Sequence, residues 1–583
     1  MLLAMSRNRE VARVLSELAL LTELDEGSPQ AFRVRAYDNA ARAVDGLAAD
    51  VEAMSAGELV ATKGIGKSTA QKIVEYLESG RIAKLDRLRE MFPPEYVELT
   101  RIPGLGPKRV ATLHEELGIG SVADLRQAIE HQALRGLAGF GAKSEEKLIL
   151  AIERLGLSGK ERRTPIELAL PVAKEIVAAL ASVDGVEAIE YAGSLRRFRE
   201  TIGDIDILVA ATDHTAVMTG FLDLPNVDEV LGKGETKSSA LTHGGMQVDL
   251  RVVEPDQYGA ALLYFTGSKA HNIRLRQLAI DRGWTLNEYA LSEVESEKVV
   301  ASETEKEIYD ALGLTFIEPP LREDTGEIEA AREDTLPDLV HLRDIKGDLH
   351  VHTDLSGDGH ETLEDMLDAV AARGMGYVAI TDHGEDLRIN GASRDQMLAQ
   401  RHRIAGLTER YHPMRILHGC ELNIDRAGGL DYDQEFLMGF DWCVASVHSL
   451  FDLDRHEQTE RVITAIRNPA VNAIGHLTGR QIGSRPGIEL DLDTVIEAAV
   501  ETGTALEVNC HLRRLDVAPE VARRAVAAGA YLVISTDAHR IGELDQMQWG
   551  VLNAQRGWVD KSRVVNTWPA DRFLQWAAAK RAR

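Results

Sequence analysis

The sequence of 583 residues predicts a multidomain chain with α-helical front domains, an α+β middle and a β/α barrel at its end. Three observations predict it. Two turns of the form glycine-apolar-glycine, Gly64-Ile65-Gly66 and Gly104-Leu105-Gly106, lie between helical patterns near the front. From Asp204 to Val209, apolar residues alternate with aspartates as they do along a half-buried strand. Beyond residue 346, histidines and carboxylates recur after short apolar runs that helical segments separate.

Composition fits a large protein with sizeable cores: 44% of residues are hydrophobic and only 5% aromatic. Cys420, Cys443 and Cys510 have no zinc spacing and suit a reducing compartment. There is no secretory signal and no apolar run of spanning length, so a cytoplasmic protein without membrane contact is expected. The absence of a heptad run makes monomer the default. Formal charge is −27, but unevenly placed. Residues 1–160 carry 22 basic and 23 acidic side chains, 161–340 carry 17 and 34, and 341–583 carry 27 and 36. The excess gathers between Ser292 and Asp338, with Glu303, Glu305, Glu307, Glu323, Asp324, Glu327 and Glu329, and reads as a solvated helix and linker. Such a sum does not exclude local phosphate binding.

In chain order, Val11, Val14, Leu15, Leu18 and Leu21 recur at helical spacing. The two glycine turns resemble the helix-hairpin-helix module, which offers backbone N–H groups to a DNA phosphate without reading the base. That resemblance makes Gly64, Gly66, Gly104, Gly106 and Lys108 candidate DNA contacts; a third turn, Gly139-Phe140-Gly141, reads as structural. Polar residues and proline from Ser158 to Pro165 mark a joint. In the next segment Asp204 and Asp206 project from one strand face, and Asp249 comes from a second alternating strand, 246–253. Three such aspartates can hold two Mg2+ or Mn2+ ions for in-line displacement at phosphorus. Gly193, Ser194 and Arg197, just upstream, suit a triphosphate cradle. Lys233 to Lys237 reads as a surface hairpin or a contact to template or primer phosphate.

Two further stretches, Tyr264-Phe265-Thr266-Gly267-Ser268-Lys269-Ala270-His271-Asn272 and Gly283-Trp284-Thr285-Leu286-Asn287-Glu288-Tyr289, complete a pattern with GSLRR, GDIDIL and VDLR. Together these resemble the family X DNA polymerases. The resemblance implies a nucleotidyltransferase palm over 166–258 and a nascent-pair-binding subdomain over 259–318. It makes Asp204, Asp206 and Asp249 the metal ligands, with Asp249 nearest the primer 3′-hydroxyl. Ser194, Arg197 and Gly203 would hold the triphosphate, Tyr264, Phe265 and Gly267 the sugar, and Asn272 and Arg276 the nascent pair and template. Tyr264 would be the barrier to a 2′-hydroxyl. Residues 1–90 resemble the family's lyase-like helix-hairpin-helix domain, followed by a second helical DNA-binding domain over 91–165. Lys72 falls where lyase-active members place a Schiff-base amine, which works only if its pKa is lowered. Arg33 and Ser68 depart from the family's lysines, so Lys72 is either that amine or a DNA-phosphate contact.

After Pro319-Pro320 the segment 319–345 reads as an acidic linker into a second catalytic unit. His350 and His352 flank one residue at a strand end, so both rings face one way. Asp382-His383, Glu421, His448, His476, Asp537 and His539 follow successive apolar runs, which suggests ligands converging at one barrel mouth. Residues 346–583 resemble the polymerase and histidinol phosphatase, or PHP, domain. That resemblance implies His350, His352, Asp358, His383, Glu421, His448, His476, Asp537 and His539 as ligands of two or three ions. Ser356-Gly357-Asp358-Gly359 is one residue longer than the family pattern, leaving Asp354 as an alternative to Asp358. Mixed nitrogen and oxygen ligands favour Mn2+, Zn2+ or Fe over Mg2+. Arg480, Arg513 and Arg514 are candidate phosphate holders.

The whole reads as a DNA polymerase that fills gapped or nicked DNA with dNTPs during base excision repair or end processing, joined to a 3′-5′ exonuclease, with abasic-site endonuclease as an extra activity. Two readings stand against it. One is a phosphatase whose front half only binds DNA; the other is a nonenzymatic DNA-end scaffold. A terminal transferase belongs to the same family.

Overall fold

The computed structural model describes residues 7–26, 32–45, 51–62, 64–92, 99–100, 102, 105–137, 140–141, 144–145, 148–149, 152, 163–387 and 389–581. The chain forms two compact units, one of residues 1–162 with 483–486 and one of 163–482 with 487–583.

The first unit is helical, with helices at Arg7–Glu26, Phe32–Asp45, Ala56–Ala61, Lys67–Ser79, Ala83–Met91, Pro107–Leu117 and Val122–Glu130. Gly64 has φ +97° between two of these helices, and a Cβ there would meet Ala43 Cβ and Asn39 O at 3.3 Å, so both backbone conformation and packing require glycine. Gly66 and Gly106 precede the helices Lys67–Ser79 and Pro107–Leu117 as extended N-caps without a side-chain cap, which leaves the first-turn N–H groups to other acceptors. Leu18, Leu21 and Leu85 pack in one cluster with Leu105, Val110 and Leu113, so a boundary at 90/91 would cut a shared core.

The second unit opens with β1 (Thr164–Pro165), β2 (Val186–Tyr191), β3 (Thr201–Ile202), β4 (Ile205–Ala211), β5 (Val227–Lys233), β6 (Lys237–Thr242) and β7 (Gln247–Val253). A sheet of order β2-β4-β7-β6-β5 backs onto the helix Ile166–Leu180, whose Ile166, Leu170, Ala173 and Ile176 are buried at helical spacing. β4 and β7 run parallel with Asp206 opposite Asp249.

Next come the helices Tyr258–Thr266 and Lys269–Ile280 and a small sheet of β8 (Trp284–Leu286), β9 (Leu291–Glu293) and β10 (Val299–Ala301). The expected acidic linker is instead folded here. Leu321, Ile328, Ala331 and Leu339 join Ile308 and Tyr309 in one core, and Glu305, Glu323 and Glu327 are paired rather than solvated, while Glu303 and Glu307 are exposed. Buried Glu305 is held by Arg196 at 2.8 Å and by fully buried Arg322 at 2.5 Å, and Glu327 accepts from His271 Nδ1 at 2.7 Å. Burial alone would raise the Glu305 pKa; Arg322 and Arg196 outweigh it and hold it at about 2.

β11 (Gly347–Val351), β12 (Tyr377–Ile380), β13 (Arg415–Asn423), β14 (Trp442–Ser446), β15 (Ala473–Ile474), β16 (Ala505–Asn509) and β17 (Leu532–Ser535) form a parallel sheet of seven strands in sequence order. A parallel bridge between Val351 and Ala538 brings its edges together, so the sheet is a near-closed barrel. Leu349, Ala379, Leu417, Val444, Ala473, Ala505 and Val533, one from each strand, meet in a single cluster, and Phe573 of the terminal helix packs beneath it. The sheet's C-terminal ends are thereby left to polar residues. The barrel shares core with the palm: Trp549 and Leu515 belong to the palm cluster, with Trp549 stacked 5.9 Å from Phe198. No helix among the described residues is long and apolar enough to cross a membrane.

Candidate active sites

In the palm, Gly193 has φ +60°, and a Cβ on it would lie 2.3 Å from Asp206 Oδ2. Only glycine lets this turn close over the carboxylate. Burial raises the Asp206 pKa to about 7, with Asp204 and Asp249 adding like charge and Arg251 and Lys237 opposing it. Asp249 behaves oppositely. Burial would raise it, but hydrogen bonds from Gln247, Lys237 and Ser239 outweigh burial and lower it. Lys237 Nζ lies 2.9 Å from Asp249 Oδ2, and Gln247 Nε2 donates to Oδ1 at 2.9 Å. The structure thus turns Lys237, read as part of a surface hairpin or as a contact to template or primer phosphate, onto the third aspartate.

Ser194 lies on the turn Gly193–Arg196, and Arg197 follows it. Arg197 Nε donates to Glu323 at 3.0 Å and its Nη1 to the Thr266 carbonyl, beside Gly267. Tyr264, Asn272 and Arg276 line one pocket with Leu263, Leu286 and Asn287. Asn272 Nδ2 donates to the Tyr264 carbonyl at 2.7 Å, Arg276 lies 5.8 Å from the Tyr264 ring, and Arg251 lies 4.3 Å from the Phe265 ring. Gly203 stands one residue before Asp204, near Arg163.

At the barrel mouth the residues expected as ligands converge. Glu421 is buried with Oε2 at 3.3 Å from His350 Nε2, 3.5 Å from His352 Nε2 and 2.9 Å from His383 Nδ1. Its Oε1 lies 3.1 Å from His448 Nε2 and 2.9 Å from His476 Nε2. Asp537 Oδ1 lies 3.5 Å from His350 Nε2 and 3.3 Å from His352 Nε2. Asp358 Oδ1 lies 3.5 Å from His383 and 3.6 Å from His539, whereas Asp354 is exposed. Asp537 adopts φ +56°, a backbone state uncommon for a side-chain-bearing residue.

Whether such donors fit metal ions is tested by their hydrogen bonds. Ser356 Oγ–H donates to Asp382 at 2.7 Å, so its lone pairs accept the Nδ1–H of His352 at 3.1 Å and leave His352 Nε2 as the free lone pair. His448 Nδ1–H donates to Asn423 Oδ1 at 2.7 Å, to the same effect. His350 Nε2, His352 Nε2, His383 Nδ1, Glu421 Oε2 and Asp358 Oδ1 are buried without a hydrogen-bond partner. Buried polar atoms left unpaired and aimed at one another suit ions between them. Three overlapping groups have donor atoms within 4.8 Å of each other: His352, His383 and His539; His350, His352, Glu421 and Asp537; His383, Glu421 and His448. Despite burial, the surrounding histidines hold Glu421 and Asp537 well below the usual carboxylate range.

Arg480, a candidate phosphate holder, is engaged within the protein. Its Nη2 donates to Glu200 at 2.7 Å and to the Leu515 carbonyl, and its Nε to the Arg514 carbonyl at 2.9 Å. Arg513 is exposed and lies 3.9 Å from Glu167. In the first unit Lys72 is half-buried on the helix Lys67–Ser79; Gly104 and the Lys108 side chain lie outside the described residues. Ser356, Asn423 and Glu507 went unread as site residues in the sequence; Ser356 and Asn423 are polar residues close to a ligand run, and Glu507 lies in a strand run that holds no predicted ligand.

Known proteins resemble this chain over most of its length. Residues 6–82 match the helix-hairpin-helix domain family and 96–154 the SAM-like helix-hairpin-helix tandem. Residues 261–323 match the DNA polymerase beta thumb and 348–511 the PHP domain. The DNA polymerase/3′-5′ exonuclease PolX of Bacillus subtilis is 39% identical over 563 residues, 96% of this chain and 97% of its own. DNA polymerase lambda of Rattus norvegicus is 30% identical over 297 residues, 46% of this chain and 48% of its own. A probable phosphatase of Acetivibrio thermocellus is 33% identical over 211 residues, 34% of this chain and 83% of its own.

Proposed function

The chain belongs to the bacterial family X DNA polymerases with a C-terminal PHP domain, and from that premise we propose that it fills short DNA gaps at the palm and trims 3′ ends at the barrel mouth. The substrates are DNA and dNTPs, and both reactions depend on divalent metal. The observation that carries the reading is that one chain holds two separate constellations, Asp206 in register with Asp249 on adjacent strands and nine histidines and carboxylates, Glu421 among them, at the barrel mouth.

In the palm, Asp204, Asp206 and Asp249 would hold Mg2+ or Mn2+, which supplies charge neutralisation and activation of the primer hydroxyl. Asp206 must give up its proton to serve, and Asp249 must exchange Lys237. Ser194 and Arg197 orient the triphosphate, for which Arg197 leaves Glu323. Tyr264 and Asn272 bound the sugar and nascent pair, and Gly64, Gly66, Gly104, Gly106 and Lys108 grip the DNA backbone. Lys72 serves as a lyase amine or as a phosphate contact.

At the barrel the nine donors, Asp358 rather than Asp354 among them, would hold two or three ions of Mn2+, Zn2+ or Fe, which supply an activated water for attack on a phosphodiester. Ser356 and Asn423 fix the ring nitrogens that face those ions. A 3′ nucleotide or blocked end then leaves the primer, with abasic-site cleavage as an extension of the same chemistry, in base excision repair or end processing. A second reading, a phosphatase of small phosphoesters, is favoured by the likeness of 34% of the chain to a probable phosphatase.

The test uses labelled DNA with a one-nucleotide gap and a 5′-phosphate, with and without dNTPs, in Mg2+ or Mn2+. Asp249→Ala should abolish extension alone and His350→Ala should abolish 3′ shortening alone. Protein that neither extends nor trims, yet cleaves a small phosphoester, would move the phosphatase reading forward.

A further inference from the structure

Glu507, on β16, is 1% exposed and belongs to none of the three donor groups. Its two oxygens serve different ligands. Oε1 accepts the His350 Nδ1–H at 2.7 Å. Oε2 accepts the backbone N–H of His476 at 2.7 Å and an N–H of the Asn509 amide at 3.2 Å. That amide also donates to Asp537 Oδ2 at 3.0 Å. One carboxylate therefore sets the orientation of His350, the backbone position of His476 and, through Asn509, the place of Asp537. These belong to different strand ends, and Glu421 also reaches His350 and His476.

Asn423 is the useful contrast. Its Oδ1 holds His448 at 2.7 Å and its Nδ2 donates to buried Asp431 at 2.7 Å, so it reaches a single ligand. A partner that fixes one ring governs one ion position. A partner that fixes ligands on several strands governs their spacing.

We infer that Glu507 is a positioning residue that couples the ion positions of the barrel site, so that its loss weakens more than one of them together. The inference rests on the reading of the cluster as a metal site. The effect is geometric. His350 presents Nε2 to the cluster only while Nδ1 is engaged, and Nε2 is fully buried without a hydrogen bond.

The test titrates metal-stripped protein with Mn2+ alone and follows free Mn2+ by its magnetic resonance signal, in a chain carrying Asp206→Asn and Asp249→Asn so that only the barrel is counted. The parent should bind more than one ion. Glu507→Ala should weaken at least two of them by about 10- to 100-fold, and Asn423→Ala only one. Glu507→Gln keeps one acceptor oxygen but presents an amide N–H2 where the second was, so it should fall between parent and alanine. DNA extension by Glu507→Ala with the palm aspartates intact reports that the chain is folded; if it is not, the glutamine variant decides. Unchanged affinities, or the loss of a single ion as in Asn423→Ala, overturn the inference. A parent that binds no Mn2+ overturns the metal reading itself, and this inference with it.

Discussion

In the barrel, ligands arrive from the ends of neighbouring strands, and the rings of His350, His352 and His448 are each fixed by a hydrogen bond to a residue that is not itself a ligand. In the palm, Asp206 and Asp249 face each other across two strands, but Asp249 is bonded to Lys237 and Asp206 sits among like charges with its pKa raised to about 7. The difference lies in when order is set. Folding arranges the barrel donors in advance, whereas the palm must exchange a lysine and a proton for its ions. The barrel should therefore retain metal through purification, and the palm should take it up with its substrates.

The largest expected effects break the comparison at its centres. Glu421 lies within reach of five histidines, so Glu421→Gln should lower 3′ trimming by on the order of 10³, about 4 kcal/mol of barrier. Asp249→Asn should do the same to extension. Each variant should leave the other reaction within about twofold, read on the same gapped DNA. Cross-inhibition on the scale of the direct loss would mean that the two sites are one system.

Next is the structure that joins them. Trp549 is 8% exposed, stacks on Phe198 of the palm and takes Lys174 Nζ at 4.2 Å over its ring. Trp549→Ala should destabilise by about 3–5 kcal/mol, seen as a lower midpoint in thermal unfolding. Both activities should fail at the same reduced temperature. If trimming outlasts extension by many degrees, the palm and barrel cores are separable.

How much of this could be read from sequence follows the same division. Strand-borne patterns were legible: alternation placed Asp204, Asp206 and Asp249, and the recurrence of histidines after apolar runs placed the barrel. Relations between distant residues were not. The run from Ser292 to Asp338 looked solvated because Glu305 lies 109 residues from Arg196, and no local spacing announces that pair. Arg480 looked like a phosphate holder for the same reason, its partner Glu200 being 280 residues away. Asp358 was the first choice on paper, with Asp354 as its alternative. The fold separates them, since Gly357 N–H bonds the Asn390 carbonyl and Asn390 Nδ2 donates to Asp358 at 2.6 Å. Glu507 sat unmarked in Ala-Leu-Glu-Val-Asn because a lone acid in a strand carries no signature.

The raised pKa of Asp206 gives the palm a pH dependence. A carboxyl whose folded pKa stands at about 7 is largely protonated below that value, and an ion must displace the proton. Apparent Mg2+ affinity measured through extension should thus fall about tenfold for each pH unit below 7, about 1.4 kcal/mol, and level off above it. A flat extension profile would place Asp206 in its ionised form before metal arrives.

The smallest effect asks whether the joint between palm and barrel is apolar or ionic. Glu200 and Arg480 are partly buried, with side chains 27% and 16% exposed, and two backbone carbonyls hold the same guanidinium. Glu200→Gln keeps an acceptor for Arg480 and removes only the charge, so it should cost about 1 kcal/mol or less and shrink as salt is raised. The comparison with Trp549→Ala then separates the two contributions. Hydrophobic burial persists in salt while a half-exposed pair is screened, so a salt-insensitive loss in the glutamine variant would mean that Glu200 acts through packing of the turn after Phe198. A loss as large as that of Trp549→Ala would make the ion pair, rather than the shared core, what holds the two modules together.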